Sequence, residues 1–233
     1  MFLSILLGIF AASIASCLRA DDNDTIDTSW LPMTPEVQTY SLNGKCGEGM
    51  IQVSSLRSMN GIEVHINTIS PGFAKTVFGE MDLKLKPSKS KTRMLVDGKI
   101  SMVTDCDYTA DSVRVSTVMS PYNQKLEKTL KSEEQFVDFS QTPILVRSLK
   151  LKPGAEFRFA SVNPKNNTLI PTRIRVVSEE TINKISCYKV QLDDFEGGIS
   201  IWVEKGGARR VIRTEKVDGT ITELLLPLPF FKP

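Results

Sequence analysis

Residues 149–204 constrain the fold more than any other part of the chain. Phe157 and Phe159 alternate with Glu156 and Arg158 after a Pro153-Gly154 turn. Ile174 and Val176 alternate with Arg173 and Arg175, and Tyr188, Val190 and Leu192 alternate with Cys187, Lys189 and Gln191. A Gly197-Gly198 pair then opens the segment ISIWV. A period of two, broken at Gly, Pro, Asn and Asp, is the pattern of half-buried antiparallel strands. The stretch reads as five strands in a row. Each has one wet and one dry face, so the dry faces must close on one another or on a helix.

The rest of the chain repeats the pattern. Asn43-Gly44 and Asn60-Gly61 are hairpin signals separating strands near 37–42, 48–58 and 62–69. AKTVFGEMDLKLKP reads as a strand bent at Gly79. Asp97-Gly98 and Asp218-Gly219 mark two further hairpins, and DSVRVSTVMS is one more strand. PYNQKLEKTLKSEEQFVDF is the single stretch with helical spacing, through Leu126, Leu130 and Phe136. The expectation is eleven or twelve strands and about one helix: an all-β, mainly antiparallel protein, built as an incomplete β-barrel or a strongly curved sheet. The expected organisation is a signal peptide at 1–16, a tether at 17–35, one β-rich domain at 36–226 and a tail at 227–233.

Composition narrows the class. At 233 residues, 41% hydrophobic and 24% charged, the chain can bury a core as one domain. A net charge of +2 creates no global field of the kind that attracts nucleic acid, so no nucleic-acid partner is expected. No run of eighteen apolar residues exists to make a transmembrane helix.

The N-terminus reads as a targeting segment. An apolar run from Met1 to about Ile14 is followed by small residues, then by the acidic stretch ADDNDTIDTS. Ile14-Ala15-Ser16-Cys17 fits a bacterial lipobox, which implies cleavage before Cys17 and acylation of that cysteine. Ordinary cleavage near Ala20 is the alternative. Either route exports the chain, to the periplasm or, lipid-anchored, to the outer membrane of a Gram-negative-type bacterium.

No chemistry announces itself. His65, the one histidine, lies on the polar side of IEVHINTI, and no nucleophile or orienting acid is nominated beside it. The cysteines form no C-x-x-C pair, so no metal site and no cofactor is expected. In an oxidising compartment Cys46 and Cys106, both near turns, are a candidate disulfide, whereas Cys187 reads as a small buried residue. The EF-hand template fails from Asp105, since Ala110 and Ser116 occupy the positions that need Gly and Glu. Arg173, Arg175, Arg209, Arg210 and Arg213 are a candidate strip for an anionic partner such as a lipid headgroup. The alternative is a solvated face balanced by Glu179, Glu180, Glu204 and Glu215.

Four features carry a family resemblance. These are Leu151-Lys152-Pro153-Gly154 after ILVRSL, RVVSEETI at 175–182, Cys187-Tyr188-Lys189-Val190, and Ile201-Trp202-Val203 followed by ARRVIRTE and a terminal Gly-x-x-x-x-x-Leu. With this order and spacing, residues from about Val137 to Leu225 resemble a bacterial envelope family known as domain of unknown function number 3108. The family has an acidic turn and a proline after the Trp strand, where this chain has Lys205-Gly206-Gly207. The resemblance implies an exported, β-rich open barrel similar to the lipoprotein-carrier half barrels, and no reaction. The expected role is therefore non-enzymatic. An apolar concavity lined by Val, Ile, Leu, Met and Phe would bind a lipid, acyl chain or lipoprotein, and the lipid anchor would supply membrane contact. The alternative is a packed assembly scaffold that recruits an envelope protein through a sheet edge.

Overall fold

The computed structural model describes residues 26–45, 47–163, 166–193 and 197–225. Eight strands precede the crossover that carries the only α-helix among these residues: β1 (Glu36–Gly44), β2 (Gly47–Arg57), β3 (Ile62–Ser70), β4 (Phe73–Met81), β5 (Pro87–Val96), β6 (Lys99–Tyr108), β7 (Ser112–Met119) and β8 (Gln124–Lys131). A two-residue strand β9 (Phe136–Val137), a 3-10 turn (Phe139–Gln141) and α1 (Thr142–Ser148) form the crossover. Six strands complete the chain: β10 (Glu156–Asn163), β11 (Thr168–Ile182), β12 (Ile185–Asp193), β13 (Ile199–Glu204), β14 (Val211–Lys216) and β15 (Ile221–Leu224).

All fifteen strands belong to one sheet, in the order β8-β7-β6-β5-β4-β3-β2-β1-β15-β14-β13-β12-β11-β10-β9. Every pairing is antiparallel except β9 with β10. Two meanders are joined through β1 and β15, so the first and last strands meet in the middle of the sheet. The fold is the curved, unclosed all-β sheet that the alternation predicts.

The sheet ends overlap rather than meet edge to edge. Phe157 and Phe159 of β10 point into the main core with α1 and the inner faces of β1–β4 and β11–β14. Ala160 and Val162 on the other face of β10 pack with Cys106, Tyr108, Val113, Val115 and Leu130 of β6–β8, and with Phe136. The N-terminal meander thus rolls over the outward face of β9 and β10, like the outer turn of a scroll. Asn167, in the β10–β11 turn, fastens the overlap. Its side chain accepts a hydrogen bond from Thr117 Oγ1 at 3.1 Å and donates one to the Leu126 carbonyl at 3.3 Å.

Two expectations are corrected. The predicted helix over 121–139 is instead a turn at Pro121, the edge strand β8, and the β9 crossover. Leu126 and Leu130 are four apart, which places them on one face of a helix and equally on one face of a strand. β8 is the sheet edge, and Lys125, Lys128 and Lys131 on it guard against a further strand. The true helix is TPILVRS, whose Ile144, Leu145, Val146, Arg147 and Ser148 are all buried. It is surrounded on all sides, so it shows no amphipathic period. Secondly, residues 149–204 hold four strands, not five, because Leu149 makes only a bridge to Ile26 before β10 begins.

Residues 26–35, expected as part of a tether, cap one end of the scroll. Leu31 is buried, Thr28 Oγ1 donates to the Leu83 carbonyl, and Asp27 N donates to the Ser148 carbonyl. Residues 1–25, including the expected signal peptide and Cys17, lie outside the described residues, as does the tail at 227–233.

Candidate functional site

The two ends of the scroll differ. At the capped end, α1 enters the lumen and brings Arg147 with it. That guanidinium is 2% exposed and pairs with Glu36 at 3.0 Å. It also donates to the carbonyls of Ala208 and Arg209, and lies 4.3 Å from the centroid of the Trp30 ring. One residue thereby ties α1 to the start of β1, the β13–β14 turn and the N-terminal cap. Beside it Arg209 donates to the Leu149 carbonyl, and burial lowers the pKa of its guanidinium. Tyr40 is buried, donates to Gln38, and has its pKa raised by that burial. This end is a packed, hydrogen-bonded core.

A second polar cluster sits midway. Asp138 accepts from Ser90 Oγ (2.6 Å), Tyr108 Oη (2.5 Å), and Ser140 N and Oγ (2.8 and 2.6 Å). Its own N–H donates to Gln141 Oε1, which completes a capping box around the 3-10 turn. Gly79 of β4 permits this approach, since a Cβ there would lie 2.1 Å from Ser140 Oγ. The cluster holds the turn against the inner face of β4–β6 and so fixes Phe139.

Phe139 is the floor of the opposite, uncapped end. That rim is formed by the turns β1–β2, β3–β4, β5–β6 and β7–β8. An inward-facing row runs across six strands in direct register: Ile51, Thr68, Lys75, Met94, Met102 and Met119. Every member is only half-buried, unlike the inward residues deeper in the sheet such as Val64, Val77 and Val115. Lys75 Nζ lies 4.6 Å from the Phe139 ring centroid, a cation over an aromatic floor. Chemically, this is an apolar, methionine-rich mouth with one cation at its centre. Methionine is flexible and polarizable, so such a lining adapts to irregular apolar shapes.

The residues nominated from sequence fall elsewhere. Cys46 and Cys17 lie outside the described residues. Cys106, whose expected partner Cys46 lies outside the described residues, is a free, buried thiol. It faces the interior on β6 and is paired across to Ser90, away from the β1–β2 turn. Burial, then the nearby Asp138 carboxylate, pushes its pKa up to about 12, so it is a protonated core residue at neutral pH. Cys187 is also free and fully buried, against Trp202 and Ile212. His65 stands exposed on the outer face, its ring 4.9 Å from that of Phe78. No group of three His, Cys, Asp or Glu side chains able to hold a metal occurs among the described residues.

The five arginines do not form one strip. Arg173 and Arg175 are on β11, Arg209 and Arg210 at the β13–β14 turn, and Arg213 on β14, with β12 and β13 between the groups. Each has an acceptor. Arg173 pairs with Glu156, Arg175 with Asp193, Arg210 with Glu204, and Arg213 with Glu215 and Glu223. Arg209 has the Leu149 carbonyl. Sequence reasoning missed the mouth, although its signal was present: Met50-Ile51, Met94-Leu95 and Val118-Met119 are adjacent apolar pairs that break the alternation near each turn.

The family profile described as "Protein of unknown function (DUF3108)" matches residues 46–225. The chain belongs to this family. No curated protein matches it. Among solved structures it is similar to a β-barrel-like protein of the domain of unknown function DUF1849 from Brucella abortus. The identity is 10%, the TM-score is 0.51, and the match covers 82% of this chain and 95% of that one. At that identity the likeness concerns the fold alone, and it agrees with a barrel-like sheet that does not close.

Proposed function

We propose that this family member is an exported, non-enzymatic binding protein that receives the apolar chain of a lipid or an acylated protein in the mouth at its uncapped end. The observation that carries the reading is the inward row Ile51, Met94, Met102 and Met119, which is half-buried where the deeper inward residues Val64, Val77 and Val115 are buried. An acyl chain laid along it would bury apolar surface at about 25 cal/mol per Å². Lys75 would favour an anionic headgroup over a neutral one. The low shape demand of methionine fits a ligand class defined by apolarity rather than by hydrogen-bond pattern.

Titration with a fluorescent long-chain fatty acid, in the absence of vesicles, tests this. Binding is expected, weakened at least about tenfold by Met102→Asp and by Phe139→Ala. Lys75→Gln should weaken carboxylate ligands more than the matching alcohols. Absence of binding, or binding indifferent to all three substitutions, would sink the reading. It would favour the packed-scaffold alternative, which the filled lumen around α1 supports.

A further inference from the structure

The uncapped rim is apolar on both faces of the sheet. Outward, in direct register across β2–β6, stand Met50, Ile69, Ala74, Leu95 and Ile100. At about 4.8 Å between strands this row is about 19 Å wide. Met50, Ile69 and Ile100 are 50%, 61% and 41% exposed. The same end adds Val96 at the β5–β6 turn, Tyr122 at the β7–β8 turn and Val217 at the β14–β15 turn, all exposed. Six of the twelve large exposed hydrophobic side chains among the described residues stand at this end, while Met33, Val37, Leu56 and Met59 stand toward the capped end.

From this arrangement we infer that the rim docks shallowly into an anionic lipid surface. A protein partner lying on the outer face, or a second copy of this chain, would cover the outward row alone. The inward row, one residue away on β2–β5 and two away on β6, would stay wet. A medium that the turns can enter covers both rows at once. Charge fits the same occupant. On the turns and first outward rows of β1–β8 stand Lys45, Arg93, Lys99 and Lys125, the last shared with Glu127, against the carboxylates Glu48 and Asp97. Cations at an apolar margin are what an anionic headgroup layer attracts. The rim also brings few open backbone groups with it. Each strand is laddered to its neighbours, and Asp97 N donates to the Gly72 carbonyl, tying the β5–β6 turn to the β3–β4 turn. No helix among the described residues is long and apolar enough to cross a membrane. The inference shares the inward row with the acyl-chain reading, but it rests on the outward row and stands or falls separately.

The test places a reporter on one strand. In the full chain carrying Cys17→Ser, which removes the acylation site from every sample, Ile69→Trp and His65→Trp are compared. Both positions face outward on β3, and His65 is about 13 Å further from the rim. Vesicles of phosphatidylethanolamine and phosphatidylglycerol with brominated acyl chains serve as probe and quencher. The expected result is a blue shift and quenching of the Ile69→Trp emission only. Met50→Asn with Ile100→Asn should lower vesicle partition at least about tenfold while the thermal melt is unchanged. Lys45→Gln with Lys99→Gln should lower it for vesicles containing phosphatidylglycerol and not for phosphatidylcholine vesicles. Equal quenching of the two reporters, or none, overturns the inference. So does a blue shift of Ile69→Trp that rises with protein concentration without vesicles, which would assign the strip to a second copy. Failure of fatty-acid titration without vesicles would remove the acyl-chain reading and leave this result untouched.

Discussion

Replacing Asp138 by alanine strips the acceptor from four donor groups on three buried residues at once. Ser90 Oγ, Tyr108 Oη and the Ser140 amide and hydroxyl all donate to this carboxylate at 2.5–2.8 Å. Ser90, Tyr108 and Ser140 are themselves buried, at 4%, 9% and 0% exposure. A buried donor left without a partner costs about 1–3 kcal/mol, and neighbouring losses overlap. The expected destabilisation is therefore about 3–5 kcal/mol. For a domain of this size each kcal/mol shifts the melting temperature by about 2–4 °C, giving a fall of about 6–20 °C. Calorimetry of the wild type, Asp138→Ala, Tyr108→Phe and the double variant measures it as a cycle. In the Tyr108→Phe background the aspartate substitution should cost about 1 kcal/mol less, because one stranded donor is already gone. Strict additivity, or a loss below about 1 kcal/mol for Asp138→Ala, would refute the claim that this carboxylate holds the 3-10 turn. The same variant should loosen Phe139, so it should weaken fatty-acid binding although Asp138 does not face the mouth.

Three further outcomes follow from the packing. Gly79→Ala should destabilise by about 1–3 kcal/mol by overpacking, since its Cβ would lie 2.1 Å from Ser140 Oγ and 2.9 Å from Ser140 Cβ; adding Ser140→Gly should recover part of the loss in denaturant melts. Arg147→Met should cost about 3–5 kcal/mol by leaving Glu36 and two carbonyls without their donor, and Glu36→Gln in that background should restore some of it. Cys106 should resist alkylation at pH 8 in the native chain and react once unfolded, as peptide mass spectrometry would show. Its pKa rises from 9.0 to about 12 on folding, so above pH 9 the unfolded thiol releases a proton that the folded one keeps. Stability should fall across pH 9–12, and less steeply in Cys106→Ala.

The hairpins were legible because glycine is tied to geometry. Asp97-Gly98 and the Gly219 turn adopt positive φ at the positions where the alternation switches strand, and the two strands after Asn60-Gly61 and Asp97-Gly98 begin where expected. The double-sided burial of β10 also leaves a trace, in the run Phe159-Ala160-Ser161-Val162, too apolar for a strand with one wet face. Helix and edge strand were confused because a spacing of four serves both periods. Proximity to turns in sequence says nothing about which strands are neighbours, so the depth of Cys106 on β6 was not legible. The Asp138 cluster had a visible component, the Asp-x-x-Gln capping pattern at 138–141, but Ser90, Tyr108 and Gly79 join it only through the fold. Likewise the methionines at 94, 102 and 119 become one row only when the register of β5, β6 and β7 is known.

Strand number explains why the sheet rolls past itself. An eight-stranded barrel is narrow enough for side chains to fill, whereas barrels of about sixteen strands enclose a water channel. Fifteen strands closed edge to edge would approach the second case and need a plug far larger than a seven-residue helix. Overlap resolves this. Sliding β6–β8 over the outward face of β9 and β10 shortens the circumference and converts would-be lumen surface into a second core around Val113, Val115, Ala160 and Val162. It also removes the demand that the edges β8 and β9 pair in register. What remains of the lumen is narrow enough for Ile144, Leu145, Phe157 and Phe159 to fill at the capped end. Toward the rim the inward residues Met94, Met102 and Met119 are half-buried. The same economy that makes the core solid thus leaves one apolar face short of a cover. That is where a binding function can reside without breaking any ladder hydrogen bond or either buried polar cluster.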